Sequence, residues 1–135
     1  MTDEPVGPAI GRLHHLVLDA ADLDAESAFW AALLGHVVTY RSDDFVVVST
    51  DDRTSGLAFQ RAPGHRAPTW PQDTVPQQMH LDVMVDDLDA ADVQARALGA
   101  RPLGGDHVYA DPAGHPFCLI PRPHWAPPVA GRPAR

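Results

Sequence analysis

Two histidines introduce the two most similar segments of the sequence. His15 begins the run His-Leu-Val-Leu-Asp-Ala-Ala-Asp, and His80 begins the run His-Leu-Asp-Val-Met-Val-Asp-Asp. In both segments an Asp-Leu-Asp-Ala follows at the same offset, starting at Asp22 and at Asp87. Imidazole nitrogens bind metal ions and exchange protons near neutral pH, so histidines in equivalent positions are candidate site residues. The repeat predicts two equivalent units that each present one histidine.

A carboxylate lies close to the second histidine. Asp82 is two residues after His80, and side chains two apart in a strand share a face. Because an unpaired carboxylate is costly to bury on such a face, two explanations stay open. The functional explanation is that Asp82 orients a pocket histidine or binds a cationic ligand. The structural explanation is that it pairs with an arginine such as Arg61 or Arg101, or is simply exposed.

Other candidate site residues are aromatic or sulfur-containing. Trp70 lies in a proline-rich stretch, where it is either a lid that stacks on a flat ligand or an anchor that holds the linker to a sheet. Tyr109 is predicted to line either the core or the pocket. Cys118 is the only cysteine of the chain, and its apolar strand is typical of an inert small hydrophobe. A single cysteine excludes an intrachain disulfide and fits a cytoplasmic location.

The patterns around these residues predict an α+β fold made of two tandem βαβββ modules. In the first unit, strands are expected at 13–19, 36–41, 45–50 and 56–60, with a helix at about 24–34 that Asp22 or Asp24 caps and Gly35 ends. In the second unit, a strand at 78–85 and a helix at about 89–98 precede short strands near 100–103, 107–110 and 117–120. The chain is therefore interpreted as a single domain with module one at 13–61, a linker at 62–77, module two at 78–121 and a proline-rich tail at 122–135.

Charge and hydropathy exclude several classes of partner. The formal net charge of −8 repels phosphate backbones and anionic membranes, so no nucleic acid is expected as a partner. No apolar run approaches the roughly 20 residues of a membrane span. The first eight residues lack the basic and apolar regions of a signal peptide. A cytoplasmic small-molecule-binding protein fits this composition.

The ordered set of motifs resembles the vicinal oxygen chelate superfamily, and most closely its glyoxalase-like and bleomycin-resistance-like members. The resemblance covers about residues 13–121. It implies that each module curls into a half-barrel, that a ligand or metal site lies in the cleft between them, and that the protein is a homodimer. The motifs that carry the resemblance are His15 with Asp22-Leu23, Phe29-Trp30, Leu34-Gly35, His80 with Asp87-Leu88, Leu98-Gly99 and Asp111-Pro-Ala-Gly114.

The same resemblance implies a divalent metal such as Zn, Ni, Fe or Mn, with His15, Gln60 and His80 at three of four ligand positions. The fourth position is usually a glutamate, but here it falls at or near Cys118. An amide and a thiol replace the hard oxygen donors and the acid/base carboxylate, which favours a protein without a resident metal. A softer ion such as zinc on His15, His80 and Cys118 is the alternative.

Three functions are compatible with these features. The first is binding or sequestration of a small aromatic or cationic molecule in the cleft, with a degenerate metal site. The second is a metal-dependent lyase or isomerase of the glyoxalase type, and the third is a ring-cleaving iron dioxygenase, which lacks its final carboxylate here. The predicted ligand-binding residues are His15, Gln60, Trp70, His80, Asp82, Tyr109 and Cys118.

Overall fold

Ten elements follow one another in the computed structural model, which describes residues 2–129. The first module consists of β1 (Leu16–Ala20), α1 (Leu23–Leu34), β2 (Val37–Arg41), β3 (Phe45–Ser49) and β4 (Leu57–Arg61). The second module consists of β5 (Leu81–Val85), α2 (Leu88–Ala97), β6 (Arg101–Pro102), β7 (Val108–Ala110) and β8 (Pro116–Pro121). Residues 130–135 of the predicted tail lie outside the described part of the chain.

The two modules form four-stranded sheets with the same strand order. The first sheet runs β1-β4-β3-β2 and the second runs β5-β8-β7-β6. In each sheet the first strand pairs in parallel with the last, and the remaining neighbours are antiparallel. The predicted α+β fold of two βαβββ modules is therefore confirmed.

Equivalent aspartates begin both helices. The Asp22 carboxylate accepts a hydrogen bond from the Ala25 N–H at 3.0 Å, and the Asp87 carboxylate accepts one from the Ala90 N–H at 3.0 Å. These bonds satisfy backbone donors that have no partner within the first helical turn. Gly35 ends α1 with φ of 66°, a left-handed conformation that suits glycine.

Alternating side chains give each sheet one covered and one open face. In β1, Leu18 and Ala20 are buried whereas Val17 and Asp19 are exposed. The helices and the single hydrophobic core cover the first of these faces. We call the opposite sides the open faces; they carry Val17, Asp19 and Gln60 in the first sheet and Asp82 and Met84 in the second.

The core crosses from one module to the other. Phe29 and Trp30 of α1 contact Phe117 of β8, with ring centroids 5.7 Å and 5.1 Å apart. All three side chains are at most 3% exposed. The removal of these aromatic side chains from water is the main apolar contribution to stability at this contact between the two modules.

The first part of the tail returns to the second module. The Arg122 guanidinium donates to the Asp86 carboxylate at 2.5 Å and to the Ala126 carbonyl at 2.6 Å.

Among residues 2–129, no helix has the length and apolar character needed to cross a membrane.

Candidate functional site

Three potential ligand side chains meet on the open face of the second sheet. His80 lies immediately before β5, Asp82 lies within β5, and the register places Asp82 beside Cys118 of β8. The His80 Nε2 atom is 3.3 Å from the Asp82 carboxylate. One ligand atom from each of the three residues lies within 4.8 Å of the others. We call these residues the second-sheet group.

The environment of this group keeps its thiol in the protonated form. Burial raises the pKa of Cys118, and the negative charge of Asp82 raises it further. A protonated thiol is a weak nucleophile, so this environment does not activate Cys118.

Within residues 2–129, no arginine forms an ion pair with Asp82. The predicted candidate Arg61 instead donates two hydrogen bonds to the Asp43 carbonyl, at 2.8 Å and 2.6 Å. The side chains of His80 and Asp82 remain 43% and 54% exposed. An exposed pair of this kind contributes little to stability, so folding gives no strong reason for placing these two residues together.

His15 lies in the first sheet's part of the molecule and is not a member of the second-sheet group. Its ring centroid is 3.6 Å from that of His14, and its Nδ1 atom accepts a hydrogen bond from the Gly56 N–H at 3.1 Å. A strand that began at Leu13, as predicted, would place His14 and His15 on opposite faces, but their rings are in contact. Both residues precede β1, which begins at Leu16 rather than Leu13, so strand alternation does not apply to them.

A hollow of about 1080 Å³ lies beside His15. Residues 9–13 form one of its walls, and strands β2 and β3 contribute Thr39, Tyr40 and Val47. Arg53 and Thr54 of the loop between β3 and β4 complete the lining. None of the second-sheet group borders this hollow, so the described chain presents two separate polar surfaces.

Tyr109, predicted to line the core or the pocket, lies in the core. Its side chain is 1% exposed, and its ring stacks on Phe117 with centroids 5.5 Å apart. The hydroxyl donates to the Asp92 carboxylate of α2 at 2.5 Å. Burial and this hydrogen bond raise the pKa of Tyr109 to about 12. Tyr109 lies in the core because its side chain is on the helix-covered face of the second sheet, whereas Asp82 and Cys118 are on the open face.

The two remaining predicted residues lie near the edges of these surfaces. Gln60 is exposed and follows Phe59, which is fully buried, so Gln60 projects from the open face of the first sheet. Trp70 is partly buried in the linker. The linker turn beside it is closed by the Thr69 hydroxyl, which donates to the Gln72 carbonyl at 2.7 Å. The lid function of Trp70 remains a prediction.

A buried acidic pair was not predicted from the sequence. Glu26 of α1 is fully buried, and Asp111, in the turn between β7 and β8, is 4% exposed. One sequence feature does indicate it: Glu26 lies three and four residues before Phe29 and Trp30, so it shares their helix face. A charged residue on an apolar helix face is expensive to bury without a partner.

The model of the family described as glyoxalase-like domain matches residues 15–120. The chain belongs to the glyoxalase-like domain family. This assignment confirms the resemblance to the vicinal oxygen chelate superfamily. Sequence comparison with curated proteins gives no match.

Solved structures similar to this glyoxalase-like domain share its fold at low sequence identity. A bleomycin-binding protein in complex with bleomycin is 18% identical, with a TM-score of 0.55 and coverage of 84% of this chain and 99% of that one. Glyoxalase I of Leishmania major is 18% identical, with a TM-score of 0.59 and coverage of 82% and 86%. The oxidase ChaP-H2 is 22% identical, with a TM-score of 0.58 and coverage of 85% and 96%.

The donors of the second-sheet group suit a soft divalent ion. Zinc accepts imidazole nitrogen, carboxylate oxygen and thiolate sulfur; His80 and Asp82 offer the first two, and Cys118 would offer the third by losing its proton on ion binding. Ions that prefer six oxygen ligands find only one carboxylate here. The donor set therefore fits zinc better than manganese.

Proposed function

We propose that this glyoxalase-like domain binds a small organic molecule at the open faces of its sheets, with His80 and Asp82 as the polar anchor. The observation that carries the proposal is the exposure of this pair beside apolar surface. Met84 follows Asp82 on the same face and is 38% exposed. Small-molecule sites combine mostly apolar walls with a few convergent polar groups, and this face has both.

The chemistry of the anchor favours a cationic or aromatic ligand. Asp82 offers a carboxylate whose partner, His80, is charged only when protonated. The protein carries a net charge of −8, which attracts cations to its surface. The similarity in fold to a bleomycin-binding protein supports a binding role for this type of domain.

Thermal-shift and calorimetric titrations test the binding function. The probes are bleomycin and a panel of aromatic cations, and the variants are His80→Ala and His124→Ala, the latter being exposed in the tail. His80→Ala is expected to weaken the affinity about tenfold, the effect of losing one hydrogen bond to a charged group. His124→Ala should leave the affinity unchanged. If no probe binds, or if both variants weaken binding equally, the proposed site is wrong.

A metal-dependent lyase or isomerase is the second candidate function. The convergence of His80, Asp82 and Cys118 within 4.8 Å supports it. In such an enzyme these residues would hold the ion, which would polarise a substrate oxygen. The chain itself would contribute Met84 as an apolar wall on the same face.

Elemental analysis of untagged protein decides between the two functions. After incubation with Zn, Ni, Fe, Mn or Co and removal of free metal, a metal enzyme of this type should retain close to one equivalent of zinc. Cys118→Ser should lower zinc retention, whereas Ser42→Ala, far along the chain in the turn before β3, should not. Retention below about a tenth of an equivalent of every metal would exclude the metal-dependent function.

We also propose that the protein is a homodimer. The open faces expose the apolar side chains Val17 and Met84, which are 41% and 38% exposed in the single chain. A second copy that packs on the open faces would remove both side chains from water.

A further inference from the structure

The turn between β7 and β8 joins the second module to the first through a buried polar cluster. The Ala113 N–H donates to Glu26 Oε1 of α1 at 3.1 Å. The Trp30 indole N–H donates to Asp111 Oδ2 at 2.9 Å, and the His115 N–H donates to Asp111 Oδ1 at 2.8 Å. We call these five residues the module joint.

The donors in the joint are too few for two charged carboxylates. Both oxygens of Asp111 accept N–H groups, and Glu26 Oε1 accepts one more. The second oxygen, Glu26 Oε2, is buried and receives no hydrogen bond from any described residue. Within residues 2–129, no ion pair with an arginine involves Glu26 or Asp111. Two uncompensated charges at this depth would be strongly unfavourable.

We propose that Glu26 and Asp111 share one proton, and that this neutral acid paired with a carboxylate is a pH-sensitive joint between the two modules. The proton resides on Glu26 because both oxygens of Asp111 already accept N–H groups, whereas Glu26 Oε2 accepts none from the described residues. Glu26 then donates through its otherwise unpaired oxygen to Asp111. Burial is the main cause that raises the pKa of Glu26, to about 10, and the hydrogen bond and charge of Asp111 raise it in the same direction.

The two imidazoles at the joint hydrogen-bond main-chain carbonyls and not the buried carboxylates. His115 Nε2 is 2.7 Å from the Asp19 carbonyl of β1, and His65 Nε2 of the linker is 2.9 Å from the Ala113 carbonyl. The centroids of these two imidazole rings are 4.8 Å apart. The Asp19 carboxylate is on the exposed side of β1. The shared proton therefore involves Glu26 and Asp111 alone, while the histidines hold the same turn against β1 and the linker.

The sign of the pH dependence follows from the raised pKa. The folded chain keeps the Glu26 proton above the ordinary pKa of 4.5, whereas the unfolded chain releases it. The contribution of Glu26 to stability is therefore complete below about pH 4.5, declines as pH rises, and is lost as pH passes about 10. Loss of the proton leaves two buried charges facing each other and opens the joint.

Carboxyl NMR of the native protein tests the shared proton directly. The sequence contains only two glutamates, Glu4 and Glu26, so protein labelled with carbon-13 at the glutamate carboxyl gives two signals. Glu4 is exposed and provides the reference signal. The Glu26 signal should keep the chemical shift of a protonated acid at pH 7. Two signals that both titrate below pH 6 would overturn the proposal.

Urea unfolding as a function of pH tests the effect on stability. We compare the wild type with Glu26→Gln, which retains a donor and an acceptor, and with Glu4→Gln as the matched exposed control. Between pH 6 and 9, the unfolding equilibrium constant of the wild type should rise relative to that of Glu26→Gln, by up to about tenfold per pH unit. Glu4→Gln should follow the wild type. If the unfolding equilibrium constants of the wild type and Glu26→Gln changed with pH in parallel, a shared proton would be contradicted. If Glu26→Gln fails to fold, the NMR titration of the wild type still tests the shared proton.

Hydrogen exchange distinguishes a joint that opens locally from a buried acid that affects the stability of the whole fold. As pH rises, the amides of Ala113 and His115 should lose protection before that of Val47 in β3, after correction for intrinsic exchange rates. Equal loss at all three amides would mean that Glu26 affects the whole fold and not the contact between modules. This outcome would overturn its assignment as a joint.

Discussion

At the level of single residues, the two acidic clusters of this protein differ in their access to water. Asp82 is half exposed beside His80, so either residue can exchange partners with a ligand at little cost. Glu26 and Asp111 are enclosed by Trp30 and by the turn between β7 and β8, so their charge state is tied to folding. The exposed cluster therefore suits a ligand site, and the enclosed one suits a structural role.

Cys118 reports on the charge of its neighbour Asp82. The Asp82 charge contributes to raising the pKa of the thiol, so Asp82→Asn should lower that pKa and increase the fraction of thiolate at pH 8. We expect alkylation of Cys118 by iodoacetamide to be faster in this variant. Asp89→Asn, an exposed change on α2, is the control and should react at the wild-type rate. An unchanged rate for Asp82→Asn would show that burial alone sets the reactivity.

At the level of elements, the two helices depend on equivalent caps. Asp22→Ala and Asp87→Ala each remove a carboxylate that accepts a backbone N–H at 3.0 Å. Each substitution should lower the free energy of unfolding by about 0.5–2 kcal/mol, measured by urea denaturation. Asp89→Ala, in the first turn of α2 but outside the cap, should have a smaller effect. A loss confined to one of the two caps would argue against their equivalence.

The elements were more predictable than the site because they depend on local patterns. Asp22, Asp87 and Gly35 act on their own helices, and strand periodicity alone indicates that Val17 and Asp19 of β1 share a face, as do Asp82 and Met84 of β5. The separation of His15 from the second-sheet group was different, because it depends on how the two modules pack against each other and not on a local pattern. Tyr109 could not be assigned to one face, since a three-residue strand holds too few side chains to show alternation.

At the level of the whole molecule, each module uses its helix-covered face for the core and leaves the opposite face to other partners. Phe117 of the second module packs against α1 of the first, so the modules are joined on the covered side. The second-sheet group and the hollow beside His15 lie on the parts of the chain that this core does not use. Any molecule that engages both surfaces has to approach from outside the core, whether it is a ligand or a second copy of the chain.

Association of two copies is the prediction that belongs to this scale. The 14.6 kDa chain should show about twice its mass in light scattering, because a dimer removes Val17 and Met84 from water. Met84→Lys places a charge on the open face and should shift the protein toward the monomer. Val93→Lys, at a site 67% exposed on α2, makes the same kind of change on the opposite side and should leave the mass unchanged. A monomeric wild type, or an equal response of the two variants, would show that the open faces are not the contact between copies.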